Sequence, residues 1–311
     1  MNTSSTRDRL RAAVPWWAKG ALKLGLSRLP VHYATRRSLA LARHGGMERP
    51  AYAFDVFQRH FAAATFHRKE CGGFTVLEMG PGDSLFTAMI AKAHGASAAW
   101  LVDVDASANT DVAIYRTMAA FLTTGGLRAP DVATAVTIDN VLAACGATYL
   151  TGGLKSLRDL PAGSIDFIFS NSVLQAVRRD EFTDTLRELR RVLHPQGCGV
   201  HSIDLRDMLS SSLHHLRFSA RVWESDLIRG SGFYTNRLRL EEILQRCASV
   251  GLEAEVCEMK RWEAMPIDRA KLAAPFCDMP EEELLPATIR IVTRPSARVT
   301  AVDRVMEGAT A

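Results

Sequence analysis

Two glycines and two acidic residues lie close together in the segment FTVLEMGPGDSLFTAMIAKAHG, residues 74–95. A turn that contains Gly80 and Gly82 directly after an apolar run is typical of a backbone that approaches a bound nucleotide-like ligand. Glu78 and Asp83 flank this turn, and two carboxylates beside a pyrophosphate would repel it. These acids instead suit a ligand that carries a cationic amine and hydroxyl groups.

A third acidic residue points to the same chemistry. Asp103 ends the next apolar run, in LVDVD, about 21 residues after Gly82. An acid at this place can accept two hydrogen bonds from ribose hydroxyls. S-adenosylmethionine combines an α-ammonium, a sulfonium and a ribose without phosphate, so it is the favoured ligand. An NAD-dependent oxidoreductase is disfavoured, because Glu78 is acidic and Leu85 stands where the G-x-G-x-x-G fingerprint has its third glycine.

Side chains that could bind an acceptor or move a proton are concentrated between residues 201 and 239. Histidine and aspartate can act as general bases, and arginine can clamp an anion. The candidate bases are Asp204, His214 and His215. The candidate acceptor-binding residues are His201, Arg217, Trp223, Tyr234, Asn236 and Arg237. An acceptor carboxylate would need no base.

The same residues have simpler interpretations. His201 could pack within a strand, one histidine of the adjacent pair could be exposed, and the arginines could form surface ion pairs. His201, Asp204, His214 and His215 also carry donors that suit a divalent ion. Because four such donors within fifteen residues also arise by chance, no metal site is predicted.

The elements that would position these groups alternate along the chain. Near-continuous apolar runs at 74–80, 98–104, 147–151, 165–170 and 197–204 predict strands buried on both faces of a parallel sheet. Helices are predicted at 83–94, 107–124, 131–145 and 180–193. This alternation predicts an α/β, doubly wound, Rossmann-like fold.

The two ends of the chain differ from this pattern. Residues 253–262 and 287–295 predict two strands that form an antiparallel hairpin at the sheet edge, and completing the sheet in this way gives seven strands. Residues 205–250 predict a helical insertion before the hairpin. Residues 1–60 predict an N-terminal helical cap, so that 61–311 would form the main domain.

The motifs VLEMGPGDS, LVDVDAS, LPAGSIDFIFSNSVLQAV and LRELRRVLHPQG occur in this order within about residues 74–204. Together they resemble the class I S-adenosylmethionine-dependent methyltransferases. The segment 200–240 and the motif GPGDSLF resemble a bacterial subgroup found beside glycan and natural-product pathways, whose substrates are mostly unassigned. The resemblance implies this cofactor and a small-molecule acceptor. It favours O-methylation of a hydroxyl or carboxyl; an N-directed enzyme and a catalytically degenerate partner subunit are the alternatives.

The resemblance also implies roles for single residues. Gly80 and Gly82 would let the backbone approach the methionine part of the cofactor, which Glu78 and Asp83 would face. Asp103 would hold the ribose and Val104 would flank the adenine. The remaining cofactor-side positions are Leu154, Asn171 and Ser172.

Two positions depart from the family pattern. Many relatives have an aspartate near the adenine where this chain has Gly153 or Leu154, which leaves the adenine to backbone groups and packing. After the fourth strand, Gln175 and Ala176 replace a more polar pair. This second change slightly favours a degenerate site.

Composition and charge limit the remaining classes. The net charge of +4 is too small to imply nucleic acid, and no C-x-x-C pair indicates zinc or redox chemistry.

Residues 1–50 are basic, with ten Arg and Lys against two acids. The aromatic segment 14–46 is expected to form a lid over the cofactor cleft, and weak membrane contact is a second interpretation. No apolar run is long enough for a signal peptide or membrane span, so a cytoplasmic enzyme is expected. The sequence leaves the oligomeric state open.

Overall fold

The computed structural model describes residues 14–28, 46–65 and 73–296. One seven-stranded sheet has the order β3-β2-β1-β4-β5-β7-β6. β1 to β5 are parallel, and β7 runs antiparallel between β5 and β6. The strands are β1 (Phe74–Met79), β2 (Ala96–Val102), β3 (Ala147–Leu150), β4 (Ile165–Asn171), β5 (Leu193–Asp204), β6 (Leu252–Arg261) and β7 (Pro286–Pro295). The predicted α/β sheet with a terminal hairpin is confirmed.

Helices cover both faces of the sheet. The helices are α1 (Trp16–Arg28), α2 (Pro50–Ala63), α3 (Phe86–Ala93), α4 (Val112–Thr124), α5 (Ile138–Cys145), α6 (Leu154–Arg158), α7 (Phe182–Val192), α8 (Ala220–Trp223), α9 (Asp226–Arg229), α10 (Leu240–Ser249) and α11 (Glu281–Leu284). Two short 3₁₀ turns add His214–Arg217 and Arg269–Lys271. Within the described ranges, no helix combines the length and apolarity needed to cross a bilayer.

Two large apolar clusters cover the sheet, one on each face. In one cluster the helices α2, α3, α4 and α5 pack against strand residues such as Val76 and Phe167. In the other, α6, α7 and α10 pack against strand residues such as Leu77 and Ile168. Neighbouring residues of one strand therefore supply opposite cores, which explains why the strands read as continuous apolar runs. This arrangement fixes the carboxyl ends of β1, β2, β4 and β5 along one edge.

The two described helices of the expected N-terminal cap, α1 and α2, contact different parts of the fold. The expected boundary at residue 60 falls inside α2, whose Phe57 is fully buried against Phe167 and Phe169 of the sheet. α2 is therefore part of the sheet domain. α1 instead packs against the segment after β5, where Trp16 stacks on His214 with 4.7 Å between ring centroids. Residues 1–13 and 29–45 lie outside the described part of the chain.

Candidate functional site

The turn between β1 and α3 requires glycine. Gly80 and Gly82 have φ values of +67° and +68°, in the left-handed region that other residues rarely adopt. A Cβ at Gly80 would collide with Val173, which follows β4. The Gly80 N–H donates to Val102 O at 2.8 Å, which ties the turn to the end of β2. The turn therefore leaves an open backbone surface between β1, β2 and β4.

Glu78 is the most perturbed acid of this turn. Its side chain is 1% exposed, and its Oε2 atom has no hydrogen-bond partner among the described residues. Burial raises the pKa of Glu78 to about 8, the nearby Thr87 hydroxyl opposes this shift, and the charge of Asp103 adds to it. A buried carboxyl oxygen without a hydrogen-bond partner fits the α-ammonium of S-adenosylmethionine, which would favour the ionised form.

Asp103 lies at the carboxyl end of β2 and faces the glycine turn. Its Oδ2 accepts from the Gly82 N–H at 3.3 Å and from the Ser107 hydroxyl at 3.4 Å, while Oδ1 accepts from the Val104 N–H at 2.7 Å. Asp83 is also buried, and its carbonyl accepts from the Asn109 N–H. The structure thus brings together the glycines and three acids that the sequence predicted for one cofactor.

The expected adenine wall is also assembled. Val104 is 78% exposed although it is apolar, and it lies beside the loop before α6. A Cβ at Gly153 would be 3.2 Å from the Val104 side chain, and the Gly153 N–H donates to Asp103 O. Leu154 begins α6 and is half-buried against the neighbouring core. An exposed valine beside this backbone offers an apolar face that an aromatic base could cover.

Asn171 and Ser172 line a polar groove at the ends of β4 and β5, with a volume of about 160 Å³. Ser172 has a φ of +59°, and its N–H donates to Ser202 O at 2.8 Å. Asp204 reaches the same groove from β5. Gln175, whose identity departs from the family pattern, is buried and accepts from the Asp204 N–H at 3.3 Å. Gln175 therefore supports the backbone of Asp204 at the groove.

Cationic side chains that the sequence interpretation missed surround this groove. Arg59 comes from α2, Arg206 from the chain after β5, Lys260 from β6 and Arg290 from β7. No sequence pattern could group them, because they are far apart along the chain. With Asp204 and Glu258 as the acids of the groove, its lining has four cationic side chains against two anionic ones.

Three of the cations already have acidic partners. Arg206 binds Asp204 through two hydrogen bonds of 2.9 and 2.8 Å, Arg290 pairs with Glu258, and Arg59 pairs with Asp55. Lys260 forms no ion pair within the described residues. Both carboxylate oxygens of Asp204 are therefore engaged by Arg206.

His214 and His215 lie elsewhere, in an apolar cavity of about 360 Å³ between α1 and the segment 207–233. Burial lowers the pKa of His215 to about 3 and also lowers that of His214, against the attraction of Asp207. Asp207 is itself buried and accepts from four backbone N–H groups of the loop 209–214. The three expected bases therefore do not form one cluster.

The expected acceptor-binding set is similarly divided. Trp223 lines the apolar cavity and donates through Nε1 to Thr235 O at 2.7 Å. Arg217 does not line the cavity, but its guanidinium lies 5.3 Å from the ring centroid of Trp16, which does. Of these two residues only Trp223 faces the cavity, and it offers an apolar face.

Four other expected acceptor residues form contacts within the fold. His201 is 2% exposed, its Nδ1 lies 2.9 Å from Ser170 Oγ, and burial lowers its pKa to about 3. The remaining three use their polar atoms within the fold. Their contacts are Tyr234 to Glu224, Asn236 to Leu174 O and Val177 O, and Arg237 to Phe218 O. None of the four lines the groove or the apolar cavity.

The four residues considered for a metal site, His201, Asp204, His214 and His215, lie in three different places. His201 lies within β5, Asp204 lines the groove, and His214 and His215 line the apolar cavity. In the part of the chain that the structure describes, no three His, Cys, Asp or Glu side chains are arranged to hold an ion.

The expected lid is placed over a different region. α1 covers the apolar cavity, whereas the cofactor turn is contacted by the chain just before α2. There Ser84 Oγ donates to Met47 O at 2.6 Å, and Asn109 Nδ2 donates to Glu48 Oε1 at 2.7 Å. Membrane contact through the basic N-terminus stays a prediction.

Comparison with known proteins identifies the central part of the chain. Residues 77–200 match the model of the family described as "Methyltransferase domain". This range contains the end of β1, all of β2, β3 and β4, most of β5 and each cofactor-side residue named above. No curated protein sequence matches the chain.

Solved structures with a similar fold include several methyltransferases. One is an S-adenosylmethionine-dependent methyltransferase from Mesorhizobium loti, with 19% identity, a TM-score of 0.39, and coverage of 80% of this chain and 98% of that one. The CurJ carbon methyltransferase has 15% identity, a TM-score of 0.45, and coverage of 96% and 72%. A phosphoethanolamine N-methyltransferase from Haemonchus contortus has 12% identity, a TM-score of 0.42, and coverage of 82% and 54%.

Proposed function

We propose that this class I S-adenosylmethionine-dependent methyltransferase methylates an oxygen of a small anionic molecule, and that the oxygen belongs to a carboxylate. The observation that carries the proposal is the excess of cationic side chains in the polar groove at the ends of β4 and β5. Asn171 and Ser172 line that groove, and they follow the strand that lies beside the cofactor turn. An acceptor bound there would lie next to the cofactor.

The acid–base properties of the site favour a carboxylate over a hydroxyl. A hydroxyl acceptor needs a base whose pKa lies near the working pH. Burial holds the pKa of His215 at about 3, and Asp204 is bound to Arg206. A carboxylate is already ionised at neutral pH and requires no proton removal.

S-adenosylmethionine, when bound, supplies a methyl group on a positively charged sulfur. Glu78, Asp103 and the Gly80–Gly82 turn would hold its amine, ribose and methionine backbone. The groove would bind and orient the acceptor, with Lys260 as the cation that has no ion-pair partner among the described residues. Orientation of the reacting groups can supply most of the acceleration of such a displacement.

The reaction type is tested with methyl-labelled S-adenosylmethionine and a panel of carboxylic acids, alcohols and amines near neutral pH. We expect label to enter the acids and to be released as methanol by alkali, because methyl esters hydrolyse under conditions that leave methyl ethers and N-methyl groups intact. A product that is stable to alkali would contradict carboxylate methylation and would favour a hydroxyl or amine acceptor.

The role of the groove is tested by Lys260→Ala. Removing this cation is expected to raise KM for the acid about tenfold, since a charged hydrogen bond contributes roughly 1.5–3 kcal/mol, and to leave cofactor affinity unchanged. Lys260→Arg should retain most of the activity. Lys271→Ala, which removes an exposed lysine outside the groove, is the control. Equal KM values for Lys260→Ala and Lys271→Ala would show that the acceptor binds elsewhere.

A further inference from the structure

We propose that the methyl acceptor is amphiphilic, with its carboxylate in the polar groove and an apolar body that carries a hydroxyl in the cavity under α1. This inference rests on the proposed function. Carboxylate binding alone gives no reason for a second, apolar cavity of about 360 Å³. That volume lies within the range of about 300–1,000 Å³ typical of small-molecule sites.

The lining of the cavity suits an apolar body. Trp16, Phe218, Trp223 and Phe233 contribute aromatic rings, and Leu24 and Ile228 add aliphatic side chains. Trp223 is 2% exposed, and its indole N–H already has a backbone partner. An apolar ligand that moves from water into this lining gains free energy, because its own apolar surface leaves the water.

Two buried polar atoms in the lining, His214 Nδ1 and His215 Nδ1, have no hydrogen-bond partner among the described residues. His215 is 3% exposed, and no described residue forms a hydrogen bond with its Nδ1 atom. A buried polar atom without a partner costs about 1–3 kcal/mol. A ligand hydroxyl can both donate and accept, so it can satisfy this nitrogen in either neutral tautomer of the ring. The apolar body is therefore expected to carry a hydroxyl.

The groove and the cavity are joined by consecutive residues. Asp204 and Arg206 line the groove, and the next residues, Asp207 to Leu209, line the cavity. Arg206 and Asp207 are consecutive, with Cα atoms about 3.8 Å apart, so the linings of the groove and the cavity meet along the chain at this point. An acceptor that contacts both sites would pass over this segment.

The proposal is tested first by binding, in the presence of S-adenosylhomocysteine, which needs no methyl transfer. Calorimetry compares acetate with two apolar acids, decanoate and 2-naphthoate. It also compares these with their hydroxylated forms, 10-hydroxydecanoate and 6-hydroxy-2-naphthoate. We expect at least one apolar acid to bind more than about tenfold tighter than acetate, because burying each methylene contributes about 0.8 kcal/mol. The alkyl and aromatic arms show which kind of body fits.

Variants then locate the bound apolar body. Ala21→Phe places a ring in the cavity from α1 and should abolish the gain over acetate. Leu22→Phe changes a neighbouring, 64% exposed residue that does not line the cavity, and it should retain the gain. His215→Phe should remove the preference for the hydroxylated acids and leave the affinity for their parent acids similar.

Several outcomes would overturn the proposal. If the apolar acids bind the wild-type protein no tighter than acetate does, the proposal is contradicted, whatever the variants show. Equal binding by Ala21→Phe and Leu22→Phe would place the apolar body elsewhere. Tight binding without formation of alkali-labile methyl esters would leave the cavity site standing and contradict the proposed reaction. Methylation of acetate as efficiently as of the apolar acids would contradict the amphiphilic acceptor and leave the proposed carboxylate methylation standing.

Discussion

The buried carboxyl of Glu78 makes cofactor binding dependent on pH. With a pKa of about 8, it is about ten times more often protonated than ionised at pH 7 in the free protein. The α-ammonium of S-adenosylhomocysteine would bind the ionised form, so binding releases about 0.9 of a proton at pH 7. The apparent affinity should therefore rise about tenfold between pH 6 and pH 7.

Calorimetry in buffers of different ionisation enthalpy measures both quantities. The pH dependence of affinity gives the slope, and the dependence of the heat on the buffer gives the number of protons released. Glu78→Gln keeps the size of the side chain and removes its titration, so its affinity should be weaker near pH 7.5 and almost independent of pH. A wild-type affinity that does not change between pH 6 and pH 7, or binding without proton release, would refute this reasoning.

The same residue affects the stability of the free protein. In the unfolded chain Glu78 ionises with its ordinary pKa of 4.5, whereas in the folded chain burial raises this pKa to about 8. The folded state then binds more protons between these values, so this group lowers stability as the pH rises through that window. The free Glu78→Gln variant should consequently gain stability over the wild type as the pH rises from 5 to 8, as urea unfolding would show.

Three other changes have definite expected results. Asp103→Ala should weaken S-adenosylhomocysteine binding by about 1–3 kcal/mol in calorimetry, because two ribose hydroxyls lose their acceptor; Asp105→Ala, at an exposed position, is the control, and equal affinities would show that Asp103 is misassigned. Gly80→Ala should lower Tm more than Gly126→Ala, since both have positive φ but only the first meets a neighbouring side chain; equal losses would contradict the steric argument. Arg239→Met should lower the free energy of unfolding by about 3–5 kcal/mol in urea titration, because buried carbonyls lose their donor; a loss below about 1 kcal/mol would contradict it.

Local patterns explain what the sequence predicted well. Glu78, Gly80 and Gly82 follow one strand directly, and Asp103 ends the next, so parallel pairing alone places them at one edge. Helix starts were less accurate. The helix expected from residue 131 begins at Ile138, because Thr137 and Asn140 form a capping box with asparagine in place of the usual glutamate or glutamine.

Long-range contacts explain what the sequence did not predict. The groove collects Arg59, Arg206, Lys260 and Arg290 from elements far apart in the chain, and no spacing rule connects them. The clustering of polar residues at 201–239 suggested one site. The fold divides them, because the chain leaves β5 at the groove and then turns at Asp207 into the cavity wall.

Arg239 has a consequence for how a ligand would enter. Its guanidinium is buried and donates to Leu205 O after β5 and to the carbonyls of Glu283, Leu284 and Pro286 before β7. These bonds fix the chain that leaves β5 to the sheet. α1 meets the cavity through ring contacts such as Trp16 with His214 and Phe218. Displacement of α1 would leave the bonds of Arg239 intact, so the chain after β5 could stay in place while an apolar ligand enters past α1.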